Sequence, residues 1–224
     1  MTTAHTANPL GGVRAFIARR MRQSLAETAQ ISYFATADVG SVLAARAVWK
    51  AQGIAVGFED IVIAALGRMV KSHPDFNAHF ADGQLTRWAE CHVSVAMASP
   101  SGLVTPVVRN VGTATLPDIV HQRRALQDKA ARGALAIGDM KGGTITISNL
   151  GLSRVQHFTP ILNPPQVAII GLGRVEEVAA FSGDTVIKRH QMGLSLTTDH
   201  QIVDGAPCGE FLTDLCRELE HTPT

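Results

Sequence analysis

The sequence predicts an α/β fold, a two-layer sandwich built on a mixed β-sheet. Three observations carry that expectation. Some segments repeat apolar residues at three-and-four spacing, as helices do, and others alternate apolar with polar residues, as strands do. The two kinds interleave without a regular β-α-β rhythm, and turn pairs suited to hairpins recur between the strands.

Residues 1–12 are rich in Thr and Ala and end in Pro9, Leu10 and a Gly-Gly pair, which reads as a flexible arm or linker. Order is expected from Val13, so residues 13–224 form one domain with a substantial core. Ile17, Met21 and Leu25 recur every four residues beneath a basic face and predict a first helix. Asp38 to Gln52 reads as a second helix, ended by Gly53. Phe58, Ile61, Val62, Ala65, Leu66, Met69 and Val70 make a third stripe, stopped at His73-Pro74 because a residue before proline disfavours the helical region. Asn77 to Trp88 reads as a hairpin turning at Asp82-Gly83. Val93, Val95 and Met97 alternate as a strand, and Leu103 to Val108 is another short apolar run. Thr115 with Pro117 and Asp118 is a helix start of the capping-box kind, for a helix reaching about Gly133. Thr144 to Ser148 and Val167 to Ile170 read as strands. Two more flank Ser182-Gly183-Asp184, and Met192, Leu194 and Leu196 alternate into the last one. Phe211, Leu212, Leu215, Cys216 and Leu219 give a final amphipathic helix.

Composition narrows the function classes. Lys and Arg number 20 against 19 Asp and Glu, a net charge of +1 that offers no bulk attraction to nucleic acid or to anionic lipid. The cluster Arg14, Arg19, Arg20 and Arg22 reads as a solvated helix face or an oligomer contact ahead of a polyanion site. Three cysteines without a CxxC pair fit a reducing compartment. No apolar run approaches the roughly eighteen residues of a membrane span, and the N-terminus has no signal-peptide pattern. A cytoplasmic protein with no membrane association is expected.

The densest polar cluster closes the last strand: Thr197, Thr198, Asp199, His200, Gln201, Ile202, Val203, Asp204 and Gly205. An apolar strand that delivers a histidine into a turn poses it well as a general base, since its ordinary pKa lies near neutrality. Asp204, four residues on, either orients that histidine or caps the following helix. On these residues alone, a structural histidine with an N-cap aspartate is the commoner arrangement. A second cluster runs from Gly142 to Gly151, where Ser148 leads into an Asn-Leu-Gly turn. Ser148 is a nucleophile, an oxyanion donor or a turn former, and with no G-x-S-x-G elbow around it the last reading is favoured. Gly171-Leu172-Gly173 lacks the third glycine of a dinucleotide fingerprint. Neither histidines nor cysteines have metal-ligand spacing, so no metal is expected.

Together these clusters resemble the catalytic domain of the 2-oxoacid dehydrogenase acyltransferases. DHQIVDG (Asp199 to Gly205) is similar to that family's DHRxxDG motif, and GGTITISNLG (Gly142 to Gly151) to its GGTFTISNLG segment. SVAMASPSGLVTPVVRN (Ser94 to Asn110), ILNPPQVAIIGLGRV (Ile161 to Val175) and RAFIARRMRQSL near the start extend the likeness in the family's order. The resemblance implies a chloramphenicol acetyltransferase-like fold and active sites between the subunits of a homotrimer, which in this family can build cubic or icosahedral cores. It implies transfer of an acyl group between dihydrolipoamide and CoA, with CoA as substrate and the lipoyl group supplied by another domain or chain. It places His200 on the catalytic histidine, Asp204 on its paired aspartate and Ser148 on the hydroxyl that stabilises the tetrahedral intermediate. Gln201 stands where the family usually has Arg, so a charge interaction is missing, and Ser32-Tyr33 replaces a frequent Pro-His. A stand-alone CoA acyltransferase using another acyl carrier is the main alternative, and a non-catalytic assembly scaffold the weaker one.

Overall fold

The computed structural model describes Pro9 and residues 11–223, so residues 1–8 and Leu10 of the expected arm lie outside the described residues. The first helix, α1, runs Gly12–Glu27 and buries only Ser24. A strand follows that the sequence reading did not anticipate: β1, Gln30–Asp38. Its core-side positions are Ile31, Tyr33, Ala35 and Ala37, of which Ile31 is exposed at the strand's start, while the bulky Phe34 lies on the other face, so the apolar contrast on which a period-two reading depends is absent. Asp38 therefore closes a strand, and α2 spans Gly40–Ala51.

The third helix, α3, covers Phe58–Met69, with eight of its twelve residues buried. A short 3-10 turn leads into the expected hairpin, β2 (Ala78–Ala81) and β3 (Gln84–Arg87). Both residues of its turn, Asp82 and Gly83, have positive φ, the twist that a two-residue hairpin loop demands. The run expected as one strand from Val93 divides. Its first part, β4 (Val93–Val95), stays in the main sheet, and β5 (Met97–Ser99) turns off to pair with β6 (Gly102–Val104). The chain then returns through β7 (Val107–Val108). Thr115 caps α4, Leu116–Ala131: its hydroxyl accepts from the Asp118 amide while the Asp118 carboxylate accepts from the Thr115 amide, the reciprocal box read from the sequence.

A short strand, β8 (Ile145–Asn149), precedes two long ones, β9 (Ala168–Ser182) and β10 (Thr185–Asp199), which form a hairpin turning at Gly183. The sequence pattern divides each into two short strands, because Gly171, Gly173 and Gly193 interrupt the apolar alternation. Their purpose is tertiary. A Cβ on Gly173 or Gly193 would collide with the Gln156 carbonyl oxygen, and one on Gly171 with the Phe158 ring, so the 150–166 connection crosses the sheet in close backbone contact there. The last helix, α5, is Gly205–Glu220.

The main sheet has the order β1-β10-β9-β8-β4-β7, with β8 parallel to both its neighbours and the other pairs antiparallel. It is the expected mixed sheet. The helix layer lies on one face: α5 rests on β1 and β10 with α2 beside it, and α3 joins α5 to α4. Ile145, Ile147, Ile170, Leu172, Leu194 and Leu196 fill the core beneath it with Phe211, Leu215 and Leu219 of α5. Residues of the other parity, Ser94, Thr146, Ser148, Ser195 and Thr197, make the opposite face polar. Buried groups on that face satisfy one another: Gln166 donates to Ser94 and to the Gly143 carbonyl and accepts from Thr146.

Candidate active site

His200 is the first residue past β10, and its backbone is pinned by donation to the Ala29 carbonyl (2.9 Å). The turn is shaped by Asp199, which is 2% exposed. Its carboxylate accepts from the backbone amides of Ala29 and Gln201 (3.1 Å each) and from the Gln201 carboxamide at 3.1 and 3.2 Å. Gln201 also donates to the Glu27 carbonyl (2.9 Å), tying the turn to the end of α1. The residue that replaces the family's usual arginine thus holds Asp199 with neutral donors.

The His200 side chain is 41% exposed, and its Nδ1 lies 3.5 Å from Asp204 Oδ1. Asp204 occupies the N-cap position of α5 without accepting a capping hydrogen bond through its side chain. Of the two roles left open by the sequence, neither is made as a hydrogen bond: the carboxylate does not cap α5, and it lies at an ion-pair distance from the imidazole. An acceptor near Nδ1 favours the tautomer that leaves Nε2 free to take a proton. Behind the dyad, Tyr33 lies in β1, with its hydroxyl buried and unpartnered among the described residues. Burial and the neighbouring Cys208 raise its phenol above the ordinary tyrosine range. The Cys208 thiol, in contact with the Thr198 hydroxyl, is raised by burial as well, which argues against a reactive thiolate here.

Ser148 is elsewhere. It lies near the end of β8, in register with Gly171 of β9, which in turn faces Ser195 of β10. His200 is five residues farther along β10, so the strands carry the two apart by roughly 16 Å lengthwise, and two interstrand spacings add roughly 10 Å across. Ser148 and His200 of one chain are therefore about 19 Å apart. One chain brings together His200 and Asp204 and does not bring Ser148 to them. The Ser148 hydroxyl, on the polar face of the sheet, has no hydrogen-bond partner among the described residues.

Beside the His200 turn opens a cavity of about 520 Å³, lined by Arg20, Gln23, Phe80, Pro164, Gln166 and Asp199. Its volume is that of a small-molecule site. Sequence reasoning gave Asp199 no separate role, because its importance lies in burial and in contacts with the α1–β1 connection. Among the described residues, no group of three or more His, Cys, Asp or Glu could hold a metal ion, and no helix is long and apolar enough to cross a membrane.

Comparison with known proteins agrees with this architecture. The sequence model of the 2-oxoacid dehydrogenases acyltransferase (catalytic domain) family matches residues 2–224. The dihydrolipoyllysine-residue acetyltransferase component of the acetoin cleaving system of Bacillus subtilis is 31% identical over 217 residues, covering 95% of this chain and 54% of that protein. A probable dihydrolipoyllysine-residue succinyltransferase component of the 2-oxoglutarate dehydrogenase complex of Schizosaccharomyces pombe is 35% identical over 209 residues, with 89% and 46% covered. The chain thus spans about half the length of these curated relatives. Among solved structures, the dihydrolipoamide acetyltransferase of Azotobacter vinelandii, studied for a serine, a histidine and an asparagine in its catalytic mechanism, superposes with a TM-score of 0.91. It is 30% identical, with 97% of this chain and 92% of that one covered. The cubic core of a pyruvate dehydrogenase multienzyme complex gives the same values. A chloramphenicol acetyltransferase, 17% identical with a TM-score of 0.56 over 90% of this chain and 92% of that one, shares the fold. By its matched length, its strand order and its ordered motifs, the chain belongs to the 2-oxoacid dehydrogenase acyltransferase family and carries that family's catalytic domain.

Proposed function

We propose that the protein transfers an acyl group between dihydrolipoamide and CoA, that His200 is the general base, and that each active site is completed by a second copy of the chain. The observation that carries this reading is the separation of about 19 Å between Ser148 and His200. They lie toward opposite ends of the sheet, one with a half-buried hydroxyl that has no partner among the described residues and the other with its imidazole beside a carboxylate. The serine, histidine and asparagine named for the Azotobacter enzyme stand at the same intervals along its chain as Ser148, His200 and Asp204 do here, which supports the assignment of all three. A heterologous contact that closes with threefold symmetry would bring Ser148 of one copy to His200 of the next, and a homotrimer is its smallest closed form. Such trimers are the proposed units of a larger core.

The chemistry follows from ordinary acidities. A free thiol with a pKa of about 8.5 is mostly protonated at neutral pH. His200 removes the proton from the CoA thiol, and the resulting thiolate attacks the thioester carbonyl of the acylated dihydrolipoamide. Ser148 from the neighbouring copy donates to the oxygen as it becomes negative. Collapse of the tetrahedral intermediate expels the dihydrolipoamide sulfur, which takes back the proton from His200. Asp204 holds the imidazole and stabilises its charged form. The lipoyl group arrives on another domain or chain, in the cytoplasm, as the three free cysteines suggest.

The test is the rate of acyl transfer from acetyl-CoA, and from succinyl-CoA, to free dihydrolipoamide, set against His200→Ala. Activity in the parent and a loss of several orders of magnitude in the variant are expected. No transfer from either donor would move the protein to the stand-alone or scaffold readings.

A further inference from the structure

Ser148 is the penultimate residue of a five-residue strand, paired with β9 as far as Asn149 but beyond the last residue paired with β4, and an oxyanion donor is effective only when it is held in position before charge develops. Something must fix the turn that follows it. Asn149 accepts the Gly151 amide on its Oδ1 (2.7 Å), closing a local turn, and its Nδ2 donates to Glu59 Oε1 (3.0 Å). Glu59 sits in the first turn of α3, 90 residues away in sequence. Its other oxygen lies 3.5 Å from Arg123 Nη1. Arg123 is in turn gripped by both oxygens of Asp60, at 2.5 and 2.9 Å. Asp60 is fully buried and accepts the Gly57 amide that opens α3 (2.7 Å). Four side chains therefore lead from a rigid point in the helix layer to the turn that carries Ser148.

From this geometry we infer that Glu59 is a positioning residue for Ser148, acting through the Asn149 carboxamide. The inference rests on the reading of Ser148 as the oxyanion donor. An acidic residue in the first turn of a helix is useful in any protein for its interaction with the helix dipole. That role engages neither oxygen in particular, whereas here one oxygen takes the Asn149 carboxamide and the other faces a buried guanidinium. Glu59 is accordingly expected to affect the transition state more than substrate binding.

Steady-state kinetics of the assembled protein test this in both serine backgrounds. Glu59→Ala is expected to lower kcat about tenfold to a hundredfold, the range for small misplacements of catalytic groups, with KM for CoA nearly unchanged. Glu59→Gln keeps an acceptor for Asn149 and should recover most of the rate. In a Ser148→Ala background, Glu59→Ala should cost less than about twofold more, because residues that act through one another are not additive. An equal loss in both backgrounds, or a change in KM alone, overturns the proposal. Glu59→Ala at the parent rate while Ser148→Ala is slow overturns it too and leaves the oxyanion reading standing. Ser148→Ala at the parent rate removes that reading and this proposal with it.

Discussion

Mixing two inactive variants should restore activity, by an amount set by how the site is divided. His200→Ala removes the base, and Ser148→Ala removes the oxyanion donor, a loss of about a hundredfold or more. With roughly 19 Å between the two residues in one chain, each proposed site draws its histidine from one copy and its serine from the next. In an unbiased 1:1 mixture exchanged into closed trimers, a given contact is intact only when the Ser148→Ala chain supplies the histidine and the His200→Ala chain supplies the serine. That happens at about one contact in four, so about a quarter of the parent rate should return. Against a background of about one hundredth for the better variant, the recovery is about 25-fold. At a 3:1 ratio of the variants the expected fraction drops to about three-sixteenths. Acyl transfer to dihydrolipoamide after co-refolding gives the rate, and two different affinity tags establish that chains have exchanged. Exchange without recovery would refute the shared site and require both residues to act within one chain.

Three further outcomes follow from the packing. Asp60→Ala leaves the Arg123 guanidinium, which is 9% exposed, with Gln127 and the more distant Glu59 as its side-chain partners, and should lower stability by about 3 kcal/mol in chemical denaturation. Gly173→Ala would place a methyl group on the Gln156 carbonyl, so the crossing connection must lift from the sheet. A clearly lower melting temperature and loss of acyl transfer are expected together. His79, whose Nε2 meets the Gly143 carbonyl at 2.9 Å, is held by burial below the ordinary histidine pKa. The unfolded chain then binds more protons than the folded one as pH falls through the ordinary histidine range, so that part of the stability is present above the range and declines below it. His79→Gln should flatten the decline, seen as a smaller difference between urea midpoints at about pH 7.5 and pH 5.5.

The helices were legible wherever one stripe decided them. The α3 stripe, the Thr115–Asp118 box and the apolar face of α5 are local facts, and each element formed where its pattern lay. Strands were legible only in part. β1 escaped because its largest apolar residue, Phe34, lies on the face away from the core while two alanines point in, and β9 and β10 looked broken because their glycines serve a crossing segment. The same division holds for the candidate site. His200, Asp204 and Ser148 stood out by residue type and by resemblance, yet their spacing in space depends on the registers of β8, β9 and β10, which no local pattern encodes. The Glu59–Asn149 contact leaves no trace in either segment read alone.

The donors that hold Asp199 are two backbone amides and a carboxamide, none of them charged. Exposed ion pairs loosen as dissolved ions screen them over a Debye length of about 10 Å at 0.1 M. A buried carboxylate held by short contacts to neutral groups gives counterions little to compete for. The turn that carries His200 should therefore keep its shape from dilute buffer to concentrated electrolyte. Any dependence of the rate on ionic strength then falls on the exposed His200–Asp204 pair and on the approach of charged reactants, and not on the backbone that carries the base.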